Sequence, residues 1–228
     1  MAIDLTSLET RLGFSFSNPD VLLEALTHPS FAYEHGERLA DNQRLEFLGD
    51  AVLQLVASDF FYRRCPDAPE GQMTKMRAGV VCEQTLTRVA EDLDLGPFLR
   101  LGHGESMTGG RENPSNLSDA VEAVLAAVYL DGGWEAALRV GQKLLAPYLE
   151  LAVDGKLTYD HKSRLYEWAQ AQSDIAIDFE VLEALGPTHD RMFVVGLIID
   201  GVVRAKGRGR TKKAAEQNAS RAFLEDIL

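Results

Sequence analysis

Through the first 151 residues, apolar side chains recur three and four positions apart, the spacing of one face of an α-helix. The longest pattern predicts a helix over residues 43–64, which ends before Pro66. Its predicted core face consists of Leu45, Leu48, Val52, Leu55 and Val56. Further helices are predicted over residues 4–12, from a cap at Asn18 up to His28, from Glu70 to Val81, over residues 85–93, over residues 115–130 with Ser115 as cap, and over residues 134–151. A long glycine-rich loop is predicted over residues 96–114.

The pattern changes after a predicted linker over residues 152–159. Three strands are predicted over residues 175–183, 191–200 and 202–209, with Asp200-Gly201 as the last turn. A helix is predicted on either side of them, over residues 161–171 and from a cap at Thr211 to Ile227. The sequence therefore predicts two domains: an all-α domain over residues 1–151 and a small α+β domain, in the order α-β-β-β-α, over residues 160–228.

Two carboxylates lie side by side on the predicted helix over residues 43–64. At about 100° per residue, Gln43, Glu46, Asp50 and Ala57 share a narrow stripe beside the apolar face. Like charges at this spacing repel each other, so a bound cation would stabilise them. Two solvated surface acids are nevertheless the simplest interpretation of such a pair by itself.

A second acidic pair, Asp119 and Glu122, lies on the predicted helix over residues 115–130. Glu122 is the only charged residue from position 120 to position 130, and a charge in so apolar a helix is costly unless it is paired or bound to a metal. Small neighbours such as Ala123 would let another helix approach that face. If the two acidic faces meet, their hard oxygen ligands suit Mg²⁺ or Mn²⁺, an arrangement that supports phosphodiester hydrolysis.

The net charge of −12 argues at first against a nucleic-acid partner. The acidity is concentrated in the first segment, however, whereas residues 204–213 hold six basic side chains and no acid. Lys212 and Lys213 fall in the first turn of the predicted last helix, where backbone N–H groups also attract phosphate. A basic run is usually a solvated surface, but its position in so acidic a protein favours phosphate binding.

The composition, with 46% hydrophobic and 25% charged residues, is typical of soluble globular proteins. No apolar run reaches the roughly 18 residues that span a bilayer, and the first residues lack the pattern of a signal peptide. The two cysteines and five histidines show no disulfide framework and no zinc-site spacing, and we interpret His28 as a packed or hydrogen-bonded structural residue. We therefore expect a cytoplasmic protein that does not contact a membrane.

The segment Arg44-Leu45-Glu46-Phe47-Leu48-Gly49-Asp50 resembles the signature of bacterial ribonuclease III. Other blocks of that family are similar to Leu12-Gly13-Phe14-Ser15-Phe16, Ala25-Leu26-Thr27-His28-Pro29-Ser30, Glu105-Ser106-Met107-Thr108-Gly109-Gly110-Arg111 and Ser118-Asp119-Ala120-Val121-Glu122-Ala123. The second segment resembles a double-stranded-RNA-binding domain through Gly186-Pro187-Thr188-His189 and through residues 207–216. The resemblance covers nearly the whole chain, and the combination of two domains is more specific than any one motif.

The resemblance implies an endoribonuclease that hydrolyses phosphodiester bonds in double-stranded RNA with Mg²⁺, for which Mn²⁺ could substitute. The products would carry 5′-phosphate and 3′-hydroxyl ends with a short overhang. Ribosomal RNA precursors and structured messenger RNAs would be the substrates. The resemblance also implies a homodimer that forms through the endonuclease domain.

The family's site residues match particular positions of this chain. Asp50 and Glu122 would be the catalytic pair, and Glu46, Asp119 and Glu122 would be metal ligands. Glu70 matches a further acid near the cleft.

RNA contacts would come from Glu167, His189, Arg210, Lys212 and Lys213. Two positions depart from the family pattern. Gln43 stands where the family usually has Glu, so one negative charge is missing beside the acidic site, and Tyr166 stands where the family commonly has Gln.

Two other functions are compatible with parts of this pattern. A double-stranded-RNA-binding or ribosome-associated protein could keep the same fold without cleavage, although a surface that only binds phosphate would favour neutral or basic residues over four acids. A helical metal-dependent phosphohydrolase acting on small nucleotides would leave the second domain unexplained.

Overall fold

The computed structural model describes residues 4–36, 39–157, 161–172, 175–186 and 191–227. The chain divides into two compact units, Met1–Leu157 and Thr158–Leu228. Over the described residues, the first unit is helical and the second combines three strands with two helices. The predicted fold class is therefore confirmed.

The helical unit is built from elements that follow each other closely along the chain. In the described ranges they are α1 (Leu5–Leu12), α2 (Pro19–Ala25), α3 (Pro29–His35), α4 (Gln43–Arg64), α5 (Glu70–Val80), α6 (Glu83–Asp92), a 3-10 turn (Gly96–Phe98), α7 (His103–Met107) and α8 (Pro114–Val153). The second unit contains α9 (His161–Ala171), β1 (Ile177–Leu185), β2 (Met192–Ile199), β3 (Val202–Gly209) and α10 (Lys212–Ile227).

α4 and α8 form the centre of the helical unit. Val52 and Phe61 of α4 lie in one apolar cluster with Val121 and Leu125 of α8. The predicted core face of α4 is correct for Leu45, Val52 and Val56, which are buried, and Leu48 is partly buried. The prediction for Leu55 is wrong, because its side chain is 54% exposed.

α8 is interrupted where the sequence predicts a break. Gly133 has φ 73° and ψ −176°, which are not helical angles. The start of the helix differs from the prediction: Asn113, rather than Ser115, is the cap, and its side chain accepts a hydrogen bond from the Ser115 N–H at 3.0 Å. Pro114 then takes the first helical position, where its missing N–H is tolerated.

α8 continues to Val153, so the first two residues of the predicted linker are helical. Leu157, also assigned to the linker by the sequence, packs against the apolar core of the helical unit. The backbone N–H groups of Lys156 and Leu157 both donate to the Leu151 carbonyl oxygen, at 2.8 and 3.0 Å. The described end of the helical unit is therefore held in place up to Leu157.

The segment over residues 96–114 is more ordered than the predicted loop. It contains the 3-10 turn and α7, and Arg100 forms a parallel β-bridge with Thr27. The Arg111 guanidinium donates to the carbonyl oxygens of Gly96 and Leu99, at 2.9 and 2.8 Å. The Arg111 side chain thus provides the hydrogen bonds that these backbone carbonyl groups need. A sequence pattern does not reveal such long-range partners, so it indicates a loop for this segment.

His28 caps a helix that the sequence did not predict. α2 ends at Ala25, and α3 begins at Pro29 with His28 before it. The His28 Nδ1 atom accepts a hydrogen bond from the Ser30 N–H at 3.2 Å and lies 2.7 Å from Ser30 Oγ. These contacts agree with a structural, hydrogen-bonded histidine.

The second unit is an antiparallel sheet in the order β1-β2-β3 with α9 and α10 packed against it. Asp200 and Gly201 both have positive φ, 50° and 76°, which is typical of a two-residue hairpin turn. Leu165 of α9 and Leu224 of α10 meet Leu197 of the sheet in a separate apolar cluster. Among the described residues, none of the helices is long and apolar enough to cross a bilayer.

Candidate active site

Gly49 brings the backbone of α4 against the backbone of α8 beside the acidic residues. A Cβ atom at this position would lie only 1.9 Å from the Glu122 carbonyl oxygen, a separation that no side chain can adopt. Glu46 lies nearly one turn before Gly49, and Asp50 follows it directly. The contact therefore brings Glu46 and Asp50 together with Glu122 and its neighbour Asp119, as the two acidic faces in the sequence predicted.

Polar side chains hold two of the four carboxylates. The Gln54 amide Nε2 donates to both oxygens of the Asp50 carboxylate, at 3.0 and 2.9 Å. Ser118 Oγ lies 3.4 Å from Asp119 Oδ1. One carboxylate on each helix is thus oriented by a neighbour from its own helix.

The electrostatics of the cluster are dominated by burial and by like charges. Burial raises the pKa of the Glu122 carboxyl, and the carboxylates of Asp50, Asp119 and Glu46 raise that pKa further, to about 8. Burial also raises the pKa of Glu46, and the Asp119 carboxylate adds to that rise. The cluster therefore favours bound positive charge, whether protons or a cation.

Opposing interactions act on the pKa of the Asp119 carboxyl. Burial raises its pKa, and the Glu83 carboxylate acts in the same direction. Hydrogen bonds from the Ser118 and Ser115 hydroxyls and the nearby His28 ring lower the pKa. Glu83 and His28 thus act electrostatically on the cluster from outside the two helices that hold it.

The donor set suits a divalent cation that prefers oxygen ligands. As the side chains lie in the described part of the chain, no three His, Cys, Asp or Glu residues are grouped closely enough to enclose an ion. The residues nevertheless fit Mg²⁺ or Mn²⁺, because all four are hard oxygen donors. Burial together with the other three carboxylates raises the pKa of Glu122 to about 8, so a bound cation would relieve the repulsion. Glu46, Asp50, Asp119 and Glu122 are the residues that could hold such an ion.

Glu70 lies in a different place within one chain. It begins α5, and its carboxylate accepts a hydrogen bond from Thr74 Oγ1 at 2.8 Å. It lines a groove of about 410 Å³ between α5 and the second half of α4, together with Asp59 and Arg77. Measured along α4, Asp59 is about 13 Å beyond Asp50, from the rise of about 1.5 Å per residue.

The predicted RNA-binding residues that the structure describes are exposed. Glu167 lies on α9, Arg210 follows β3, and Lys212 and Lys213 begin α10. His189, the remaining predicted contact, lies outside the described residues. Thr211 caps α10 as predicted, because its Oγ1 accepts a hydrogen bond from the Ala214 N–H at 3.1 Å.

The start of α10 is fixed by close contacts with β3 and α9. A Cβ atom on Gly207 of β3 would lie 2.1 Å from the Ala215 carbonyl oxygen of α10. Lys162 of α9 pairs with Glu216 of α10 at 2.7 Å, and the ammonium also lies 4.6 Å from the centre of the Phe179 ring. These contacts hold the basic first turn of α10 at the end of β3.

Sequence reasoning missed two residues that shape the acidic site. Gly49 appeared only as part of a motif, although an isolated glycine inside a helical pattern often marks close packing. Gln54 lies four positions after Asp50, a spacing that allows side-chain hydrogen bonds on a helix. The isolated glycine and the spacing of Gln54 from Asp50 are both visible in the sequence, but the sequence does not show that α8 is the helix packed against Gly49.

Comparison with known proteins agrees with this arrangement. A family model described as Ribonuclease-III-like matches residues 18–149, and a model described as Double-stranded RNA binding motif matches residues 161–227. A protein named Ribonuclease 3 from Pelotomaculum thermopropionicum is 47% identical over 96% of this chain and 92% of its own length. Another protein of that name, from Oceanobacillus iheyensis, is 46% identical over 99% of both chains.

A solved structure is similar to the helical unit. The nuclease domain of ribonuclease III from Campylobacter jejuni superposes with a TM-score of 0.60 at 37% identity. The match covers 64% of this chain and 98% of that domain.

A helical unit with a half-buried carboxylate cluster, followed in the chain by a double-stranded-RNA-binding unit, defines a nuclease that carries its own duplex-binding domain. The two family models and the relatives that match over nearly their whole length all indicate the same group of nucleases. The chain belongs to the ribonuclease III family, and it is an endoribonuclease that acts on double-stranded RNA.

Proposed function

We propose that this chain hydrolyses phosphodiester bonds of duplex RNA with Mg²⁺, for which Mn²⁺ can substitute, and leaves 5′-phosphate and 3′-hydroxyl ends with a short overhang. The observation that carries the proposal is the set of four carboxylates around Gly49, where burial and then repulsion raise the pKa of Glu122 to about 8. A purely RNA-binding surface would not place acids where a phosphate must come. The residues fit a divalent cation better than an anionic ligand.

In the proposed site, Glu46, Asp50, Asp119 and Glu122 would hold the metal, and Asp50 and Glu122 would be the pair closest to it. When bound, the metal supplies positive charge against the phosphate and activates the attacking water. Gln54 keeps the Asp50 carboxylate in one orientation through two hydrogen bonds. Glu122, whose pKa is raised to about 8 without metal, would have to give up its proton to hold the ion.

The two units divide the work in this proposal. Residues 1–151 form the endonuclease domain, and residues 160–228 form the double-stranded-RNA-binding domain. Lys212, Lys213 and Arg210 contact phosphates near the start of α10, while Glu167 and His189 contact 2′-hydroxyls in the flanking minor grooves. The exposure of Glu167, Arg210, Lys212 and Lys213 supports this assignment.

We also propose that two chains pair through their endonuclease domains. Phe47, Leu55 and Tyr62 follow each other along one side of α4 and are 84%, 54% and 74% exposed. Leu55 also lines a groove of about 400 Å³ with Tyr129 and Trp134 of α8. So much exposed apolar surface on one helix is typical of a protein interface. The similar nuclease domain from Campylobacter jejuni has a region involved in dimer formation.

The family also suggests a cellular role. We propose that the enzyme processes ribosomal RNA precursors and structured messenger RNAs in the cytoplasm. Recognition by shape and phosphate, rather than by base sequence, would let one enzyme act on both kinds of transcript.

The test is incubation of the full chain with a long RNA duplex, with and without Mg²⁺, followed by mapping of the product ends. We expect metal-dependent cleavage with 5′-phosphates. Glu122→Gln should lower the cleavage rate by more than about 100-fold, since loss of a metal ligand should exceed the ~10–100-fold effect typical of altering a ligand's hydrogen-bond partner. Its affinity for the duplex should stay within about twofold of wild type, because the substitution lies outside the RNA-binding domain. Wild-type cleavage by this variant would refute the site.

A further inference from the structure

The sheet of the second unit uses only one of its faces for the core. Phe179, Leu197 and Ala205 contribute to the cluster that α9 and α10 cover. Because side chains alternate along a strand, the residues next to these three on each strand point to the opposite face. We define this outer face by Glu180, Glu183, Gly196, Ile198, Lys206 and Arg208.

The strand register arranges four charges of the outer face in two parallel rows. In the first row, Gly196 of β2 is paired with Glu180 on one side and Lys206 on the other. In the second row, Val194 is paired with Glu183 on one side and Arg208 on the other. Strands lie about 4.8 Å apart, so the acid and the base of each row are about 10 Å apart.

A β-bulge creates the second row. The register of β1 shifts between Val181 and Glu183, which puts one extra residue in the strand. That extra residue, Leu182, lies over Gly196: a Cβ on Gly196 would be 3.0 Å from its Cδ1 atom. Glu183 therefore joins Glu180 on the outer face instead of pointing to the core.

The middle of the outer face is apolar. Leu182 and Val203 flank Gly196, at 3.0 and 3.4 Å from the position of a Cβ atom. Ile198 follows on the same face and is only partly buried, and Val203 is 43% exposed. The face thus has a column of acids on β1, an apolar centre and a column of bases on β3.

We propose that the outer face binds the outer face of a second copy of this chain, around a twofold axis that runs along β2. A half-turn about this axis places β1 of each copy over β3 of the other while keeping every residue at its level along the strands. Glu180 then faces Lys206 of the other copy, and Glu183 faces Arg208. The symmetry repeats both pairs, which gives four ion pairs around an apolar centre.

The charge pattern distinguishes a second copy from other occupants. Within the two rows, acids and bases are equal in number and occupy matched levels, so each row is complementary to the same row of a second copy. Asp178, which is paired with Ile198 at the next level, is a third acid of the face and would lie over Val203 of the other copy. A nucleic acid would meet the acidic column of β1, and the phosphate contacts that we propose lie elsewhere, at Arg210 and the start of α10. Among the described residues, Glu180, Glu183, Lys206 and Arg208 form no ion pair within one chain, so all four are available to a partner.

Cross-linking at the axis tests the proposal in the full chain. A residue on a twofold axis meets its own copy, so Ile198→Cys, in a chain with Cys65→Ser and Cys82→Ser, should form a covalent dimer with a short bis-maleimide. Arg221→Cys in the same background is the control, because Arg221 is exposed on α10 and far from the axis. We expect the cross-linked fraction at position 198 to exceed that of the control at least about tenfold, the ratio given by ~1.4 kcal/mol.

Charge reversal identifies the predicted pairs. Glu180→Lys with Glu183→Lys, or Lys206→Glu with Arg208→Glu, should lower the cross-linking at position 198 about tenfold, equivalent to ~1.4 kcal/mol. The four changes together restore both the pairs and the wild-type net charge, so cross-linking should return. Equal cross-linking at positions 198 and 221, or a fourfold variant that stays as low as the twofold variants, would overturn the proposal. Circular dichroism of each variant checks that the fold is kept.

Discussion

In each unit a glycine lets two elements pack closely, but the charged side chains beside the two contacts differ in sign and in burial. In the helical unit, Gly49 lets α4 approach the backbone of Glu122, and the contact half-buries carboxylates that repel each other. In the second unit, Gly207 lets β3 approach α10 at Ala215, and the neighbouring Lys212 and Lys213 stay exposed. The acids are gathered where water is scarce and a cation is favoured, whereas the bases are presented where an RNA backbone can reach them.

The largest expected effect comes from filling the first contact. Gly49→Ala puts a methyl group 1.9 Å from the Glu122 carbonyl oxygen, so α4 and α8 must separate. We expect the free energy of unfolding of the helical unit to fall by about 3 kcal/mol or more, at the upper end of overpacking effects. Cleavage should be lost with it, and thermal unfolding measured by circular dichroism checks the first point.

Two variants sharpen this comparison between the units. Gly207→Ala would place its methyl group 2.1 Å from the Ala215 carbonyl oxygen and should instead abolish duplex binding. Gly71→Ala on α5 is the matched control, because nothing lies within 4 Å of its Cβ position, and it should be neutral or stabilising by up to ~1 kcal/mol. A Gly49→Ala chain as stable as wild type would mean that the two helices are not in backbone contact.

Removing the hydrogen bonds to Asp50 should have the next largest effect. Gln54→Leu keeps the side-chain volume but donates nothing to the carboxylate, so we expect cleavage to fall about 10–100-fold, the usual result of losing a ligand's orienting partner. The loss should be partly recovered at high Mg²⁺ if the defect is in metal affinity. Titration of cleavage rate against Mg²⁺ measures this, and an unchanged Mg²⁺ midpoint and rate would show that Gln54 does not orient Asp50.

A smaller effect is expected from the bases of the second unit. Lys212→Ala with Lys213→Ala removes two phosphate contacts, so the slope of log affinity against log salt should become shallower by about 2. Binding to a catalytically inactive Glu122→Gln chain, followed by fluorescence anisotropy at several salt concentrations, gives this slope. Arg221→Ala on the exposed side of α10 is the control. An equal change of slope in both variants would contradict the assignment of Lys212 and Lys213 as phosphate contacts.

The buried acids should also give the stability of the helical unit a characteristic pH dependence. Without metal, the Glu122 carboxyl keeps its proton up to a pH of about 8 in the folded chain, whereas the pKa in the unfolded chain is near 4.5. Between these values the folded chain binds more protons, so its free energy of unfolding should fall as the pH rises.

Melting temperatures in EDTA from pH 5 to about pH 8 measure this slope. Glu122→Gln should show a flatter dependence than wild type, and each 1 kcal/mol of difference corresponds to about 2–4 °C in a chain of this size. Mg²⁺ should reduce the slope of the wild-type chain. Identical slopes for the two chains would contradict the burial of charge at Glu122.

Most of the local structure could be predicted because its signals are local. α4, α9 and β3 have the bounds that apolar periodicity, capping residues and a two-residue turn indicate. The segment over residues 96–114 was missed because its order depends on Arg111, whose partners lie in the 3-10 turn and just after it. Leu55 was misassigned because periodicity identifies an apolar face without telling a core from an exposed face.

The candidate site could be predicted in its members more than in its geometry. By themselves, Glu46 and Asp50 are most simply two surface acids, whereas Glu122 in its apolar helix already indicates a paired or metal-bound charge. The resemblance to a family joined the pairs, and the structure brings them together at Gly49. Glu70 shows the limit of such transfer, since within one chain it lies on a separate groove.

The sequence by itself determined most of the helices, the three strands, the division into two units and the residues that carry charge, because each follows from spacing along the chain. Only the tertiary structure decided that Gly49 touches Glu122, that Glu183 turns to the outer face of the sheet and that Leu55 is exposed. It also set the pKa of Glu122 near 8. The reason is that burial and repulsion depend on distances in space between residues far apart in sequence, which no local pattern contains.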